Sequence, residues 1–155
     1  MSNEWEVLKS SFLFETFDDR IINMFVEESE IRNYSADEII FVEMTEGDEI
    51  FLVVDGEVTV EFALANEDQQ FEIGTLQRGE IIGEVAFFEN GQRSATVTAK
   101  KDTTMLVWKN VTWQQICEKD YEVGYRLVTN MAKILCQRLR RMNIRILDNV
   151  SWGIQ

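Results

Sequence analysis

The chain has 155 residues, and its hydrophobic content of 45% is enough for one globular domain with a core. The net charge of −13 argues against a nucleic-acid-binding protein, which needs a basic face, and against docking on an anionic membrane. Histidine is absent, which removes the commonest general base and metal ligand, so neither an enzyme nor a metal site is predicted.

The two cysteines, Cys117 and Cys136, lack the spacing of a metal or redox motif. Because the sequence carries no signal peptide, both are predicted to be reduced thiols of a cytoplasmic protein. No apolar run approaches the roughly 20 residues that a membrane-spanning helix requires.

Residues 1–30 are predicted to form an N-terminal helical segment of two helices. Asp18 is the expected N-cap of the second helix. The apolar sides of the two helices are provided by Trp5, Leu8, Phe12 and Phe14, and by Ile21, Ile22, Phe25 and Val26.

Residues 31–109 contain short β-type runs separated by turn residues, a rhythm typical of an all-β sandwich or barrel. The predicted strands are Arg32–Tyr34, Ile39–Met44, Ile50–Val54, Val58–Ala63, Gln70–Leu76, Ser94–Ala99 and Thr104–Trp108. Asp55-Gly56 is a strong tight-turn signal. The predicted fold is mainly β with flanking helices: a double-stranded β jelly roll with an open mouth for a ligand. A metal-binding cupin uses the same roll, but it normally needs several histidines and this chain has none.

The stretch from Ile82 to Ala99 has the components of a small anion site. Gly83 allows the backbone to approach a ligand closely, and a helix that begins near Glu84 points free N–H groups outward. Arg93 is the only cation of the stretch, and its planar guanidinium suits phosphate oxygens. Glu84 would repel an anion, but it can accept a hydrogen bond from a ribose hydroxyl. Together these residues point to a nucleotide.

Two submotifs keep this order and spacing: Gly83-Glu84-x-Ala86, then Arg93-Ser94-Ala95-x-Val97-x-Ala99. They resemble the phosphate-binding cassette of the cyclic nucleotide-binding domain family. That family includes the catabolite activator protein, regulatory subunits of cyclic-AMP-dependent kinase, and cyclic-nucleotide-gated channels. In this chain Phe87 stands where a smaller aliphatic residue is more usual, and Gln92 where proline is frequent.

The resemblance implies that Glu84 holds the ribose 2′-hydroxyl and that Arg93 pairs with the cyclic phosphate. The implied ligand-binding residues of the cassette, residues 82–97, are Ile82, Gly83, Glu84, Val85, Ala86, Arg93, Ser94 and Ala95. Val60, Ile73 and Arg138 are further candidates for contacts to the base. The alternative is a turn-rich hairpin in which Glu84 pairs with Arg93 and no ligand binds.

Residues 110–147 are predicted to form a short helix from Asn110 and a long helix from about Tyr121 to Leu147, followed by a tail of residues 148–155. Asp120 is the expected N-cap of the long helix. Apolar residues of this helix recur at steps close to a heptad seam: Gly124, Val128, Met131, Leu135, Met142 and Ile146. The seam either packs on the barrel or forms a homodimer through residues 121–147, as in the catabolite activator branch.

The long helix is basic in an acidic chain. Residues 120–147 hold six Lys or Arg against two Asp or Glu, a charge of +4 that leaves −17 for the rest. This asymmetry indicates that the helix faces an acidic surface, in the same chain or in a partner. Contact with nucleic acid is disfavoured because the remainder of the chain is so acidic.

The resemblance covers roughly residues 12–147, and the remaining chain leaves no room for a helix-turn-helix domain. We therefore expect a stand-alone sensor that binds cAMP, or alternatively cGMP, and couples it to an unknown protein partner. In the catabolite activator branch a polar pair late in the long helix contacts adenine, and an ungapped match places Arg138 and Leu139 there. The competing hypothesis is an interaction or scaffold domain that kept the roll but does not bind nucleotide.

Overall fold

The computed structural model describes residues 2–63, 70–89 and 91–152. Asn90 of the predicted cassette and tail residues 153–155 lie outside this range. The helices are α1 (Asn3–Ser10), α2 (Asp19–Glu27), α3 (Glu84–Glu89), α4 (Asn110–Lys119) and α5 (Tyr121–Trp152). The strands are β1 (Glu30–Tyr34), β2 (Ile39–Phe41), β3 (Glu49–Asp55), β4 (Glu57–Ala63), β5 (Gln70–Gln77), β6 (Ile81–Ile82), β7 (Thr96–Ala99) and β8 (Thr103–Lys109).

The strands form two four-stranded antiparallel sheets, ordered β1-β8-β3-β6 and β2-β7-β4-β5. They pack face to face over an apolar core, in which Phe51, Val53, Val58, Val97 and Met105 are all buried. The predicted fold class, a jelly roll with flanking helices, is confirmed.

Strand β3 is buried on both faces, because alternate side chains enter different cores. Phe51 and Val53 point between the two sheets, whereas Ile50, Leu52 and Val54 point toward the helices. The first sheet is therefore a middle layer between the second sheet and the helices.

The helical layer is held by aromatic side chains from α2, β8, α4 and the turn between α1 and α2. Phe14, Phe25, Trp108 and Trp113 contact one another at centroid distances of 4.8–6.4 Å. The indole N–H of Trp108 donates to the carbonyl of Phe25 at 2.7 Å, so this buried donor is satisfied. The contacts fix the N-terminal helices and α4 against the roll.

The predicted helix starts are confirmed at both N-caps. The Asp18 side chain accepts from the N–H of Ile21 at 2.9 Å. The Asp120 carboxylate accepts from the N–H groups of Glu122 and Val123, each at 3.2 Å. Both carboxylates satisfy amides that have no partner within their helix.

Several predicted boundaries were wrong. Strand β6 was missed because two residues carry no alternation signal, and β2 and β7 are shorter than predicted, at Ile39–Phe41 and Thr96–Ala99. Helix α1 ends at Ser10, so both Phe12 and Phe14 lie in the turn that follows. Helix α5 continues to Trp152, so residues 148–152 are helical rather than a tail.

The single heptad seam predicted on α5 divides into two stripes. Gly124 and Met131 are buried against the protein, whereas Val128 and Ile146 are exposed. The buried stripe is tethered by Asn130, whose amide donates to the carbonyl of Leu13 at 3.0 Å. This attachment directs the distal half of α5 toward the mouth of the roll.

Among the residues that the structure describes, none of the helices combines the length and the apolar character that crossing a bilayer would require. In the same described residues, no three His, Cys, Asp or Glu side chains are grouped so that they could hold a metal ion.

Candidate functional site

A cavity opens between the two sheets where α3, the turn before β7 and the distal half of α5 meet. Its lining side chains are Phe41, Val60, Leu76, Ile82, Gly83, Glu84, Val85, Ala86, Arg93, Ser94, Ala95, Val97 and Arg138. All the predicted site residues are brought together here except Ile73, which does not line the cavity. Sequence reasoning missed three lining residues, Phe41, Leu76 and Val97. All three lie on predicted strands, but a strand pattern alone does not separate ligand contacts from core.

Gly83 is the close-approach position that the sequence suggested. Its φ is +86°, in the region that favours glycine. A Cβ there would lie 2.6 Å from Arg93 Nη1 and 2.8 Å from the Glu49 carbonyl oxygen. Gly83 therefore turns the chain from β6 into α3 and at the same time makes room for the arginine.

Arg93 is a buried cation that forms no ion pair with any residue the structure describes. Arg93 is only 4% exposed. Among the residues that the structure describes, no carboxylate forms an ion pair with it and its Nε has no hydrogen-bond acceptor. One N–H donates to the Glu49 carbonyl at 2.9 Å, and the guanidinium lies 4.2 Å from the centroid of the Phe41 ring. Burial lowers the pKa of Arg93 below its ordinary value, so an anion at this position would be strongly stabilising.

Gly47, in the loop before β3, is a residue whose role the sequence did not reveal. A Cβ at Gly47 would lie 1.9 Å from Arg93 Nε and 2.2 Å from Arg93 Cζ. The N–H of Gly47 donates to the carbonyl of Gly91 at 2.6 Å, which holds the two loops together. The guanidinium of Arg93 thus occupies the space where any other residue at position 47 would place its side chain.

Glu49 anchors the strand that accepts the Arg93 hydrogen bond. Its carboxylate pairs with Arg32 at 2.7 Å and with Lys109 at 2.9 Å. The hydrogen bond from Arg32, assisted by Lys109, lowers the pKa of Glu49 to about 2. The carboxylate therefore stays ionised at neutral pH, and it faces these two cations rather than the cavity.

Glu84 is the second buried charge of the cavity and is 4% exposed. The predicted alternative, a Glu84–Arg93 pair, is wrong, because Glu84 forms its ion pair with Arg138 of α5. A second N–H of Arg138 donates to the carbonyl of Ile81. Since these contacts span 54 and 57 residues of sequence, they could not be read from local patterns.

Residues 31–120 match the cyclic nucleotide-binding domain family over more than half of the chain. The chain belongs to this family. The match spans the roll, the cassette and α4, but it stops before α5. The predicted family is thereby confirmed.

Two relatives of this chain are a cyclic AMP receptor protein and a cGMP-dependent protein kinase. The cyclic AMP receptor protein of Thermus thermophilus is 26% identical over 143 residues, 90% of this chain and 62% of the relative. The human cGMP-dependent protein kinase 2 is 30% identical over 109 residues, 70% of this chain but 14% of the kinase. The chain thus spans less than two thirds of the length of either relative.

A cyclic nucleotide-binding domain from Methylobacillus flagellatus has the same fold. Its crystal structure superposes with a TM-score of 0.83 at 23% identity, covering 95% of this chain and 82% of that one. This likeness supports the jelly roll and the placement of the flanking helices.

Proposed function

We propose that the protein is a cytosolic sensor that binds a purine cyclic nucleotide and passes the binding event to a partner protein. The observation that carries the proposal is Arg93, a buried guanidinium with no protein counter-ion among the described residues. A cation in that position is costly unless an anion joins it. A cyclic phosphate would supply that anion between Arg93 and the turn at Gly83.

In this proposal Glu84 accepts a hydrogen bond from the ribose 2′-hydroxyl. Its carboxylate lines the same cavity as Arg93 and forms its ion pair with Arg138, not with Arg93. An ionised carboxylate accepts more than one hydrogen bond, so Arg138 can orient Glu84 while a hydroxyl binds to it. The same pair of charges suits a ligand that has both a phosphate and a free ribose hydroxyl.

Calorimetric titration with cAMP and cGMP tests the proposal directly. We expect binding of at least one of them, and we expect the 2′-deoxy analogue to bind more weakly to the wild type. In Glu84→Gln that loss should be much smaller, because the hydroxyl no longer meets a carboxylate. Equal losses in both backgrounds would give Glu84 a structural role. No binding of any nucleotide would favour the interaction domain that kept the roll without a ligand.

The proposed output runs through α5. Its Arg138 contacts the cassette directly, and Phe87 of α3 packs edge to face on Trp113 of α4 at 6.2 Å, just before α5 begins. A ligand can shift this helix only through different affinities for its two arrangements. Binding of nucleotide to the cassette should therefore change the local stability of the helix over residues 121–147.

Hydrogen exchange measures this coupling. We expect amide exchange along residues 121–147 to slow when nucleotide is added, while exchange in the buried strand β8 changes little. An unchanged α5 alongside a protected cassette would mean that the helix only packs against the roll.

A second copy of the chain is the proposed occupant of a largely exposed stripe on α5, in which Leu135 and Met142 are half-buried and the other members are exposed. Its members recur at alternating steps of four and three, the spacing of a coiled-coil seam: Tyr121, Tyr125, Val128, Ala132, Leu135, Leu139, Met142 and Ile146. Tyr121 is 81% exposed and Leu139 is 58% exposed. A parallel pair of helices would bury these side chains without disturbing the stripe that faces the roll.

Light scattering tests the dimer. We expect a dimeric mass for the wild type and a monomeric mass for Leu139→Lys, because the introduced ammonium cannot be buried in the seam. Gln137→Lys adds the same charge at an exposed position outside the stripe and should remain dimeric. A monomeric wild type at high micromolar concentration would refute the seam.

A further inference from the structure

We propose that a second cavity, which shares Arg138 with the cavity at the cassette, binds a small molecule with an apolar body and a carboxylate, and that this ligand opposes nucleotide binding. The second cavity lies between the turn after α1, the turn that joins β5 to β6, and one face of α5. It encloses about 420 Å³ of empty space, its open mouth included, which is within the range of small-molecule sites. The site itself does not depend on the proposed function, whereas the opposition to nucleotide rests on it.

The folded chain holds the walls of the second cavity in place without a ligand. The Ser11 hydroxyl donates to the carbonyl of Gly79 at 2.6 Å, and this bond fastens the turn after α1 to the β5–β6 turn. Two backbone hydrogen bonds attach the β5–β6 turn to β3. The N–H of Gly79 donates to the carbonyl of Val53 at 2.8 Å, and the N–H of Val53 donates to the carbonyl of Glu80 at 3.0 Å. The second cavity is therefore largely pre-formed, as most small-molecule sites are.

One face of α5 closes the second cavity and gives it both apolar and cationic character. The contributing side chains recur at i, i+3, i+4 and i+7, the spacing of neighbours on one helix face: Ile134, Gln137, Arg138 and Arg141. Ile134 extends the apolar wall that Phe12 and Ile81 form. Phe12 is 38% exposed, so an apolar ligand body that covered it would remove that surface from water.

The second cavity has unused hydrogen-bond donors on its α5 side. The side chains of Gln137 and Arg141 form no hydrogen bond or ion pair with any residue that the structure describes. The carboxylate of Glu80, which also lines the cavity, accepts the N–H of Gln77 at 2.9 Å and is tied to its own turn. A free guanidinium beside a free amide best suits a planar anionic acceptor, and a carboxylate is such a group.

Arg138 and β6 form the partition between the two cavities. Arg138 lines both of them. Of the two residues of β6, Ile81 lines the second cavity and Ile82 the cavity at the cassette, because successive side chains of a strand point to opposite faces. An anion in the second cavity would draw the guanidinium of Arg138 away from Glu84, its ion-pair partner. It would also repel the cyclic phosphate next door, so both effects predict that the two ligands oppose each other.

The site is tested by an NMR titration of the full chain with 3-phenylpropionate. Two ligands with the same body and a different head, 3-phenylpropanol and 3-phenylpropylamine, are the matched comparisons. We expect the acid to shift the amide signals of residues 79–81 and 134–141 with a Kd on the order of 1 mM. The alcohol and the amine should bind at least about tenfold more weakly, because neither offers an anion to Arg141.

Two variants of α5 separate the second cavity from a general affinity for the basic helix. Arg141→Gln should weaken binding of 3-phenylpropionate about tenfold, because the charge-assisted contact is lost. Arg140→Gln removes an exposed arginine of the same helix that lies outside the described lining, and it should bind like the wild type. The site is overturned if the acid shifts none of these signals at about 20 mM, if the alcohol binds as tightly, or if Arg141→Gln keeps the wild-type Kd.

The opposition between the ligands is a separate measurement. Saturating 3-phenylpropionate should weaken binding of cAMP or cGMP about fivefold relative to acetate at the same concentration, and nucleotide should weaken binding of the acid by the same factor. Unchanged or tighter nucleotide binding would overturn this part of the inference. If neither nucleotide binds, the proposed function fails and the opposition fails with it. The titration with 3-phenylpropionate alone still decides whether the second cavity is a site.

Discussion

Replacing Arg93 with alanine should weaken cyclic nucleotide binding by about 2–4 kcal/mol, roughly 30- to 1000-fold in Kd. The phosphate would lose a charge-assisted, two-pronged contact to Arg93, a residue that is 4% exposed. Arg93→Lys should also lose affinity, because an ammonium cannot make the same planar contact. Circular dichroism of each variant checks that the roll is intact.

Replacing Arg93 with methionine should not destabilise the protein without ligand. A buried guanidinium that has no ion-pair partner in the described part of the chain destabilises the fold. Arg93→Met, which keeps an apolar stem against Phe41, should therefore unfold at the same or a higher temperature. Adding nucleotide should raise the midpoint of the wild type and leave that of Arg93→Met unchanged. Wild-type affinity in Arg93→Ala, with the fold intact, would remove Arg93 from the site.

The sequence was sufficient to predict those elements whose signals come from neighbouring residues. Strand alternation, the Asp55-Gly56 turn and the caps at Asp18 and Asp120 each depend on neighbouring residues, and the structure contains all of them. The cassette was also recognisable, because its two submotifs lie within one stretch of chain. These local signals were enough to predict the jelly roll and the residues around Arg93.

Contacts between distant segments could not be predicted in the same way. Periodicity on α5 showed apolar positions but not which of two stripes faces the roll. Arg138 was expected near the base, yet its ion pair with Glu84 depends on the angle at which α5 leaves α4. That angle is set by tertiary packing, including the tether of Asn130 to Leu13, rather than by helix propensity.

Gly47 shows most clearly that a tertiary contact can require a residue for a reason the sequence does not display. A glycine often marks a positive φ, but the glycines with positive φ among the described residues are Gly56, Gly79, Gly83 and Gly91, and Gly47 is not one of them. Alanine can adopt this backbone conformation. Glycine is required because a Cβ at position 47 would lie 1.9 Å from Arg93 Nε. A sequence contains no direct record of such a contact.

Gly47→Ala should therefore fold and yet bind nucleotide about a hundredfold more weakly, equivalent to roughly 2.7 kcal/mol. The added methyl group must displace the guanidinium, whose position is what the phosphate would recognise. Gly74→Ala is the matched control, because its Cβ would meet only Arg145 Nη1, at 3.9 Å. We expect that variant to bind within about twofold of the wild type.

A double-mutant cycle separates displacement of Arg93 from a general disturbance of the loop. If Gly47→Ala acts by moving the guanidinium, adding it to Arg93→Ala should cost almost nothing further, since the group that it displaces is already gone. Additive losses would mean that position 47 acts on the ligand by another route, through the loop that its N–H fastens to Gly91. The coupling energy thus decides whether Gly47 serves the site by leaving space for one side chain.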